Sequence, residues 1–436
     1  MRHGNPLPRH PASGILLVVV SAFAIGPATR FPGWAALAPV LGAALLLAAG
    51  PAAPASRILL SNRIAVFLGL ISYPLYLWHW PIVSFAHVIM PEASSTKLAG
   101  FSAILLSTAL AWATWRFVEM PLRRPDPWRA MSLVVAMMLA GAAGLVVWAS
   151  DGFPGRHANH SGVDIAKIGA AVGDGIFMPT PGMTVENRNE SLITKFEAGG
   201  EGVLFTGDSL VFHYAPRVEA LFQSGLLRQR TYFVVGASCA PFPGIVQTGY
   251  FSHCRELPDL ALEVLGREPI RTVVIGASWP GYTGTSMQIE RGGRRMTLDD
   301  PAGQDAMYAN LEDHVRRLVA LGLKVSLVLA VPVHQNFDPR TMISRSPLGL
   351  SIEPERLRPV PVARLREAAR KVDDRLVAIA SRTGATVVDP LPDICGPGPD
   401  CALFFEDWEP KYADSMHLRP AFVRENVRMF DALLTQ

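Results

Sequence analysis

Charge is scarce in this sequence. Only 18% of its 436 residues are charged, against 50% hydrophobic, and the mean hydropathy is +0.25. A chain this apolar is not an ordinary soluble protein. Its 40 basic and 37 acidic residues nearly balance, at a net charge of +3. There is no basic block with interleaved aromatics, which argues against a nucleic-acid partner. Cysteine is sparse too: Cys239, Cys254, Cys395 and Cys401 all lie outside the apolar first third. No CxxC or His–Cys ligand spacing is present, so no metal is expected. The even count falls as two local pairs, which suggests disulfides in an oxidising compartment; four unpaired thiols are the alternative.

What the sequence has in excess is apolar residues near its start. Five segments stand out: Ser13–Pro27, Trp34–Gly50, Ile64–Ile89, Leu98–Val118 and Met131–Ala149. A bilayer core needs about 20 residues of helix. The last three segments meet that length; the first two are short, and Pro39 interrupts the second. Arg2 and Arg9 before one apolar stretch fit a signal peptide, but four further segments favour a multispan region. Basic residues orient it. Arg2 and Arg9 precede the first segment, and Arg57 and Arg63 lie between the second and third. Arg116, Arg123, Arg124 and Arg129 surround the turn between the fourth and fifth, while the opposite loops hold only Arg30 and Lys97. Five spans with an internal N-terminus put the C-terminal part outside, where cysteine pairs would oxidise.

The third segment contains Ser72-Tyr73-Pro74-Leu75-Tyr76-Leu77-Trp78-His79-Trp80-Pro81. Its aromatics, Tyr73 among them, read as an interfacial belt. His79 at that depth is costly without a role or a partner. The fourth segment closes on Arg116-Phe117-Val118-Glu119-Met120-Pro121-Leu122-Arg123. Arg116 and Glu119, three residues apart, are expected to pair on one helix face as a structural anchor.

The membrane region thus covers 1–150. Residues 151–200, rich in Gly, Pro, Asn and Asp, read as a linker. From 201 to 436, short β-branched runs alternate with helical patterns. The runs are Val203–Thr206, Tyr232–Val235, Thr272–Ile275, Val325–Val331 and Thr386–Val388. The helical stretches are Leu210–Phe222, Leu257–Leu265, Gln304–Leu321, Val362–Arg382 and Pro420–Leu434. The expectation is an α/β domain, a three-layer sandwich with a five-stranded parallel sheet and helices on both faces. Such sheets carry their sites at the C-terminal ends of strands.

The first run breaks into Gly207-Asp208-Ser209, and a helix follows. Ser209 therefore stands at a strand-to-helix turn, where backbone N–H groups favour an oxyanion; a plain helix N-cap is the bland alternative. Near the chain's end stands Asp414-Ser415-Met416-His417. An aspartate three residues before a histidine can orient the imidazole, leaving its other nitrogen to take a proton from serine. Read otherwise, Asp414 caps the last helix and His417 is an ordinary loop residue.

Gly207-Asp208-Ser209 and Asp414-x-x-His417 resemble the first and last blocks of the SGNH hydrolase superfamily, whose fold is flavodoxin-like. The Ser72–Trp80 and Arg116–Arg123 stretches resemble the C-terminal end of the acyltransferase-3 family. The fusion of the two resembles bacterial inner-membrane enzymes that O-acetylate lipopolysaccharide, peptidoglycan or other surface polysaccharides. That resemblance implies a catalytic Ser209, His417 and Asp414. It also implies disulfides joining Cys239 to Cys254 and Cys395 to Cys401. The expected partners are the lipid bilayer and a cell-surface glycan acceptor, with acetyl-CoA as donor on the cytoplasmic side and no bound cofactor. Where the superfamily has an oxyanion-donating asparagine in Gly-x-Asn, this chain has Gly276-Ala277-Ser278, so Ser278 stands in that place; Gly236 matches the second-block glycine. The membrane part matches only the end of its family's domain, which implies a mis-assigned start, a truncated gene or a partner chain supplying the remaining helices. The same triad can also serve a membrane-tethered acetylesterase, and an inactive remnant is the third alternative.

Overall fold

The computed structural model describes residues 11–26, 29, 33–50, 53, 56–89, 96–123, 126–150, 152–153, 165–174, 179–188, 190–246, 249–283, 287–346 and 349–436. Arg2, Arg9, Arg30 and Arg124 lie outside these. The chain divides into two units, Met1–Phe153 and Pro154–Gln436.

The first unit is helical: α1 (Pro11–Ala24), α2 (Leu37–Ala49), α3 (Arg63–Ile89), α4 (Lys97–Thr114) and α5 (Pro127–Ala149). Among the described residues, three helices are long and apolar enough to cross a membrane: Arg63–Ile89, Lys97–Leu122 and Pro127–Ala149. The first two segments form shorter apolar helices, so three of the five expected spans have the required length. α1 and α2 approach closely at Gly14 and Gly42, where a Cβ on either would stand 2.8 Å from the other's carbonyl oxygen. Small residues permit such backbone approach. α3 and α4 are linked by Trp78 Nε1 donating to Thr114 Oγ1 at 2.9 Å.

The expected Arg116–Glu119 pair does not form. Glu119 instead accepts from Arg123 at 2.5 Å. The chain makes a π turn over Trp115–Glu119. That wider turn rotates the third neighbour away and favours the fourth.

The second unit opens with α6 (Ile165–Gly173). It continues with β1 (Thr184–Arg188), β2 (Ser191–Phe196), β3 (Gly202–Gly207), α7 (Ser209–Phe212), α8 (Ala215–Gln223) and β4 (Arg230–Gly236). Then come α9 (Leu257–Arg267), β5 (Ile270–Gly276), α10 (Trp279–Tyr282), α11 (Pro301–Ala320), β6 (Lys324–Val328), α12 (Val362–Thr383) and β7 (Thr386–Val388). The seven strands form one sheet in the order β1-β2-β4-β3-β5-β6-β7. β4, β3, β5, β6 and β7 pair in parallel, while β1 and β2 add an antiparallel edge.

The sheet therefore has seven strands, not five, and the extra two come from the segment read as linker. Leu192, Thr194 and Phe196 are buried in alternation on β2. That period marks a strand with one buried face, but the surrounding turn residues mask it in sequence. Two other expectations are corrected. Leu210–Phe222 splits after Phe212, with Pro216 in the first turn of α8, and Pro420–Leu434 splits into Pro420–Asn426 and Asp431–Leu434.

Apolar residues fill both faces of the sheet. Val203, Phe205, Phe233 and Val235 face one core, with Val218 and Leu221 of α8. Leu204, Val234, Val273 and Ile275 face the other, with Leu260, Leu311, Val315 and Leu376 of α9, α11 and α12.

His314 of α11 is 5% exposed. Burial, helped by Arg317, pushes its imidazole down to about 4. The unfolded chain binds a proton near pH 6.5 and the folded chain does not, so stability falls as pH drops from about 6.5 to about 4. Thermal unfolding across this window should show a loss of up to about 3 kcal/mol from this residue, and His314→Leu should remove that part of the slope.

Candidate active site

β3 ends at Gly207, paired with Gly276 at the end of β5. A Cβ on Gly207 would stand 1.8 Å from the Gly276 carbonyl oxygen. Only glycine allows that approach. The next residue, Asp208, is 1% exposed. Its Oδ1 accepts from Leu210 N–H at 2.9 Å, capping α7. Its Oδ2 accepts from Ser278 N–H at 2.7 Å and from Tyr282 O–H at 2.8 Å. Burial pushes the Asp208 carboxyl above its ordinary range, against the pull of these donors.

Ser209 follows, with its hydroxyl 2.8 Å from His417 Nε2. His417 Nδ1 lies 2.8 Å from Asp414 Oδ2. Asp414 Oδ1 accepts from the N–H groups of Met416 and His417, each at 2.8 Å, which closes a tight turn. Burial works against ionisation of Asp414, but the His417 ring and the two backbone donors outweigh it and bring the carboxyl down to about 2. An ionised Asp414 accepting from Nδ1–H leaves Nε2 free to accept from the Ser209 hydroxyl. The three side chains thus form one hydrogen-bonded line at the C-terminal edge of the parallel strands.

The weaker candidates are placed differently. Gly236 lies against the Cys239–Cys254 disulfide: a Cβ there would stand 2.7 Å from Cys239 Sγ. The disulfide gives a packing reason for that glycine. Ser278 does border the serine turn, but its backbone N–H is committed to Asp208. Its hydroxyl is turned towards Gly281, 2.7 Å from where a Cβ on that residue would lie. In the helical unit, Tyr73, His79 and Arg116 are exposed, and Glu119 is engaged by Arg123.

The second disulfide joins Cys395 to Cys401. Cys239, His253 and Cys254 cluster within 4.8 Å, but the bonded sulfurs are not thiolates and cannot serve as metal ligands in that state. The sequence reading passed over Asp208 as a ligand for other groups, and it passed over Tyr282 entirely. It also passed over His213, one turn beyond Ser209, which is buried with neither ring nitrogen bonded to a protein partner among the described residues. Burial holds His213 well below its ordinary range, so it is neutral.

Ser209, His417 and Asp414 are thus linked in this order at the C-terminal ends of a parallel sheet. Residues 184–432 match the family described as "SGNH domain (fused to AT3 domains)", and the chain belongs to that family. A 64-residue stretch is 38% identical to proteins named "Putative O-acetyltransferase" in Staphylococcus aureus strains COL and N315. It covers 15% of this chain, and the chain spans only 11% of the length of those relatives. Among solved structures, the "lipopolysaccharide acetyltransferase periplasmic domain" of Salmonella ser. Paratyphi A is 12% identical with a TM-score of 0.39, over 55% of this chain and 85% of that one. A "putative acylhydrolase" from Bacteroides fragilis is 17% identical with a TM-score of 0.29, over 55% and 90%.

Tyr282→Phe removes one donor from the buried Asp208 carboxylate. It should lower stability by about 2 kcal/mol, read as a fall in Tm. Gly207→Ala should cost more, because the new methyl group meets a backbone oxygen rather than a flexible side chain.

Proposed function

We propose that this chain is an O-acyltransferase that acetylates a cell-surface glycan through an acyl-serine intermediate on Ser209. The observation that carries the reading is the unbroken hydrogen-bonded line from Ser209 through His417 to Asp414. Membership of a family of SGNH domains fused to membrane acyltransferase domains supports it, as do the partial relatives named as O-acetyltransferases.

In the first half-reaction His417 Nε2 takes the hydroxyl proton while Ser209 Oγ attacks the carbonyl carbon of an acyl donor. The tetrahedral adduct collapses, the donor's ester or thioester bond breaks, and the leaving group takes the proton from His417. In the second, His417 removes a proton from a sugar hydroxyl, whose oxygen attacks the acyl-serine ester. Ser209 Oγ leaves with that proton, and the acyl group ends on the glycan. Asp414, ionised throughout, stabilises the imidazolium formed in each half. Leu210 N–H is committed to Asp208, so the developing oxyanion falls to Ser209 N–H and to donors from neighbouring loops.

Acetyl-CoA on the cytoplasmic side is the proposed donor, delivered through the helical unit in the bilayer; a partner chain could complete that unit. The domain is proposed to lie outside a bacterial inner membrane. Arg57 and Arg63 border the N-terminal side of α3, and Arg116, Arg123 and Arg129 lie around the α4–α5 turn. Lys97 begins α4 at the opposite end. Three spans or five give the same side for the C-terminus, because both numbers are odd. The two disulfides agree with an oxidising compartment. Nucleic acid has no place in this reading.

Ser209→Ala or His417→Ala in the full chain should reduce acyl transfer to a glycan by at least about a thousandfold, and the double variant should be no worse than either single one. The check is label transfer from acetyl-CoA to surface polysaccharide in membranes. Undiminished transfer by Ser209→Ala would defeat the proposal. Release of free acetate at equal rates with and without glycan would replace transfer by hydrolysis.

A further inference from the structure

The segment that carries the catalytic histidine begins, a few residues upstream, at a strained tip. Phe405 N–H donates to the Glu409 carbonyl at 2.9 Å, and the turn between them is Glu406–Trp408. Asp407 and Trp408 have φ of 46° and 63°. Glycine takes that left-handed backbone freely, whereas aspartate and a bulky indole take it only at a cost. Strain of this kind persists where the surroundings over-determine it, and it gathers at ligand clamps. Here Lys167 of α6 donates to the Asp407 carbonyl at 2.7 Å and to its carboxylate at 2.8 Å. The Phe404 ring meets the Trp408 ring edge to face, with centroids 5.2 Å apart. Arg419 holds Glu409 at 2.7 Å.

What this mount displays is the indole. Trp408 is 45% exposed, and it is the only exposed Phe, Tyr or Trp among the described side chains of the second unit. The other tryptophan of that unit, Trp279, is wholly buried. The Trp408 indole N–H makes no hydrogen bond among the described residues, and the neighbouring Glu406 carboxylate makes no ion pair among them. A flat apolar face, with an N–H donor at its rim and a carboxylate acceptor beside it, matches a pyranose ring. The ring's C–H groups meet the negative π face, and its hydroxyls find the donor and the acceptor. Charge narrows the class. The carboxylates of Asp174, Glu406, Asp407 and Glu409 outnumber the two cations that pair there, Lys167 and Arg419. Such a tip repels an anionic sugar and an anionic bilayer surface alike, and a neutral sugar meets neither penalty.

The tip is joined to the triad by Pro410–Ala413, which two bridges hold, and Asp414 follows. The chain from Trp408 to Asp414 spans at most about 22 Å when fully extended. Tip and triad thus stand at the two ends of one held segment, and a single polymer can lie on both. We infer that Trp408 is a stacking platform for a neutral sugar unit of the acceptor glycan, further along the polymer than the unit whose hydroxyl is acylated. The inference rests on the reading of Ser209 as a glycan acylation centre, and it adds that the acceptor is a polymer gripped through an uncharged ring.

Binding tests it independently of turnover. The full chain carrying Ser209→Ala, in detergent micelles, is titrated calorimetrically with cellohexaose, chitohexaose and mannohexaose, with their monosaccharides, and with hexagalacturonic acid. At least one neutral hexaose should bind at least about tenfold more tightly than its monosaccharide and than the acid. Adding Trp408→Ala should weaken that hexaose at least about tenfold with the circular dichroism spectrum unchanged, and Trp408→Tyr should keep most of the affinity. Lys167→Met, which leaves the indole but frees its mount, should weaken it by a smaller factor. Binding of none of the neutral hexaoses, or binding that survives Trp408→Ala, would overturn the platform. Survival of sugar binding, together with a loss in Trp408→Ala of fluorescence quenching by brominated phosphatidylglycerol vesicles, would overturn it in favour of a membrane contact. Hexaose binding lost with Trp408, in a protein whose Ser209 form transfers no acyl group, would uphold the platform and defeat the transfer reading alone.

Discussion

The serine turn is built around one buried carboxylate. Asp208 is out of water and accepts from three donors, two of them backbone N–H groups on either side of the β3–β5 boundary. Removing a charge from water is costly, and the cost is met only when its lone pairs are filled. The carboxylate therefore does two jobs at once. It caps α7 directly behind Ser209, and it binds the loop after β5 to the end of β3. Gly207 and Gly276 let those strand ends meet at backbone distance. With the surrounding donors drawn inward to Asp208, the Ser209 hydroxyl is free to turn towards His417.

The histidine arrives from 208 residues away in sequence, and a second set of constraints delivers it. Two isolated antiparallel bridges, Phe404 with Pro410 and Tyr412 with Leu418, hold the segment Pro410–Ala413. The Asp414–His417 turn is its return, closed by Ala413 N–H on the His417 carbonyl at 2.9 Å. That segment is anchored inward by Tyr412, whose ring stacks on Phe337 at 4.4 Å and whose hydroxyl donates to the Pro332 carbonyl. Arg419, with its side chain 8% exposed, pins the outer end through Asp174 and Glu409. Lys411 is buried, donates to the Ile394 carbonyl at 2.8 Å and is pushed down to about 8 by that burial. A turn held at both ends keeps the imidazole within reach of the serine.

These two constraints explain what the sequence shows and what it hides. The central parallel strands are legible because a strand buried on both faces is a continuous apolar run, as in Val203–Thr206 and Thr272–Ile275. The edge hairpin is not, because β1 is almost wholly exposed and β2 alternates among polar residues. Ser209, Asp414 and His417 announce themselves through turn chemistry and local spacing. Asp208 and Tyr282 do not, because their contact joins residues 74 apart and no local pattern encodes it. Gly236 has a packing reason of its own that its position in sequence does not show, the disulfide against which it lies. Arg116 and Glu119 mislead because spacing arithmetic assumes an α-helix where the chain makes a π turn.

The site holds two carboxylates within six residues of a reacting group in sequence, and their surroundings drive them apart. Asp208 is fully enclosed and its carboxyl is raised, whereas Asp414 is half-buried and brought down to about 2. The difference is not the number of donors, since each carboxylate has three. It lies in how much solvent each retains and in the nature of one donor. Asp208's side-chain partner is a phenol, which stays neutral. Asp414's is an imidazole, which gains charge when it takes a proton. A carboxylate facing a group that becomes cationic is stabilised further at the moment of reaction, and one facing a phenol is not. In the proposed mechanism that asymmetry assigns the roles: Asp414 answers the charge on His417, while Asp208 holds the frame against which the proton moves.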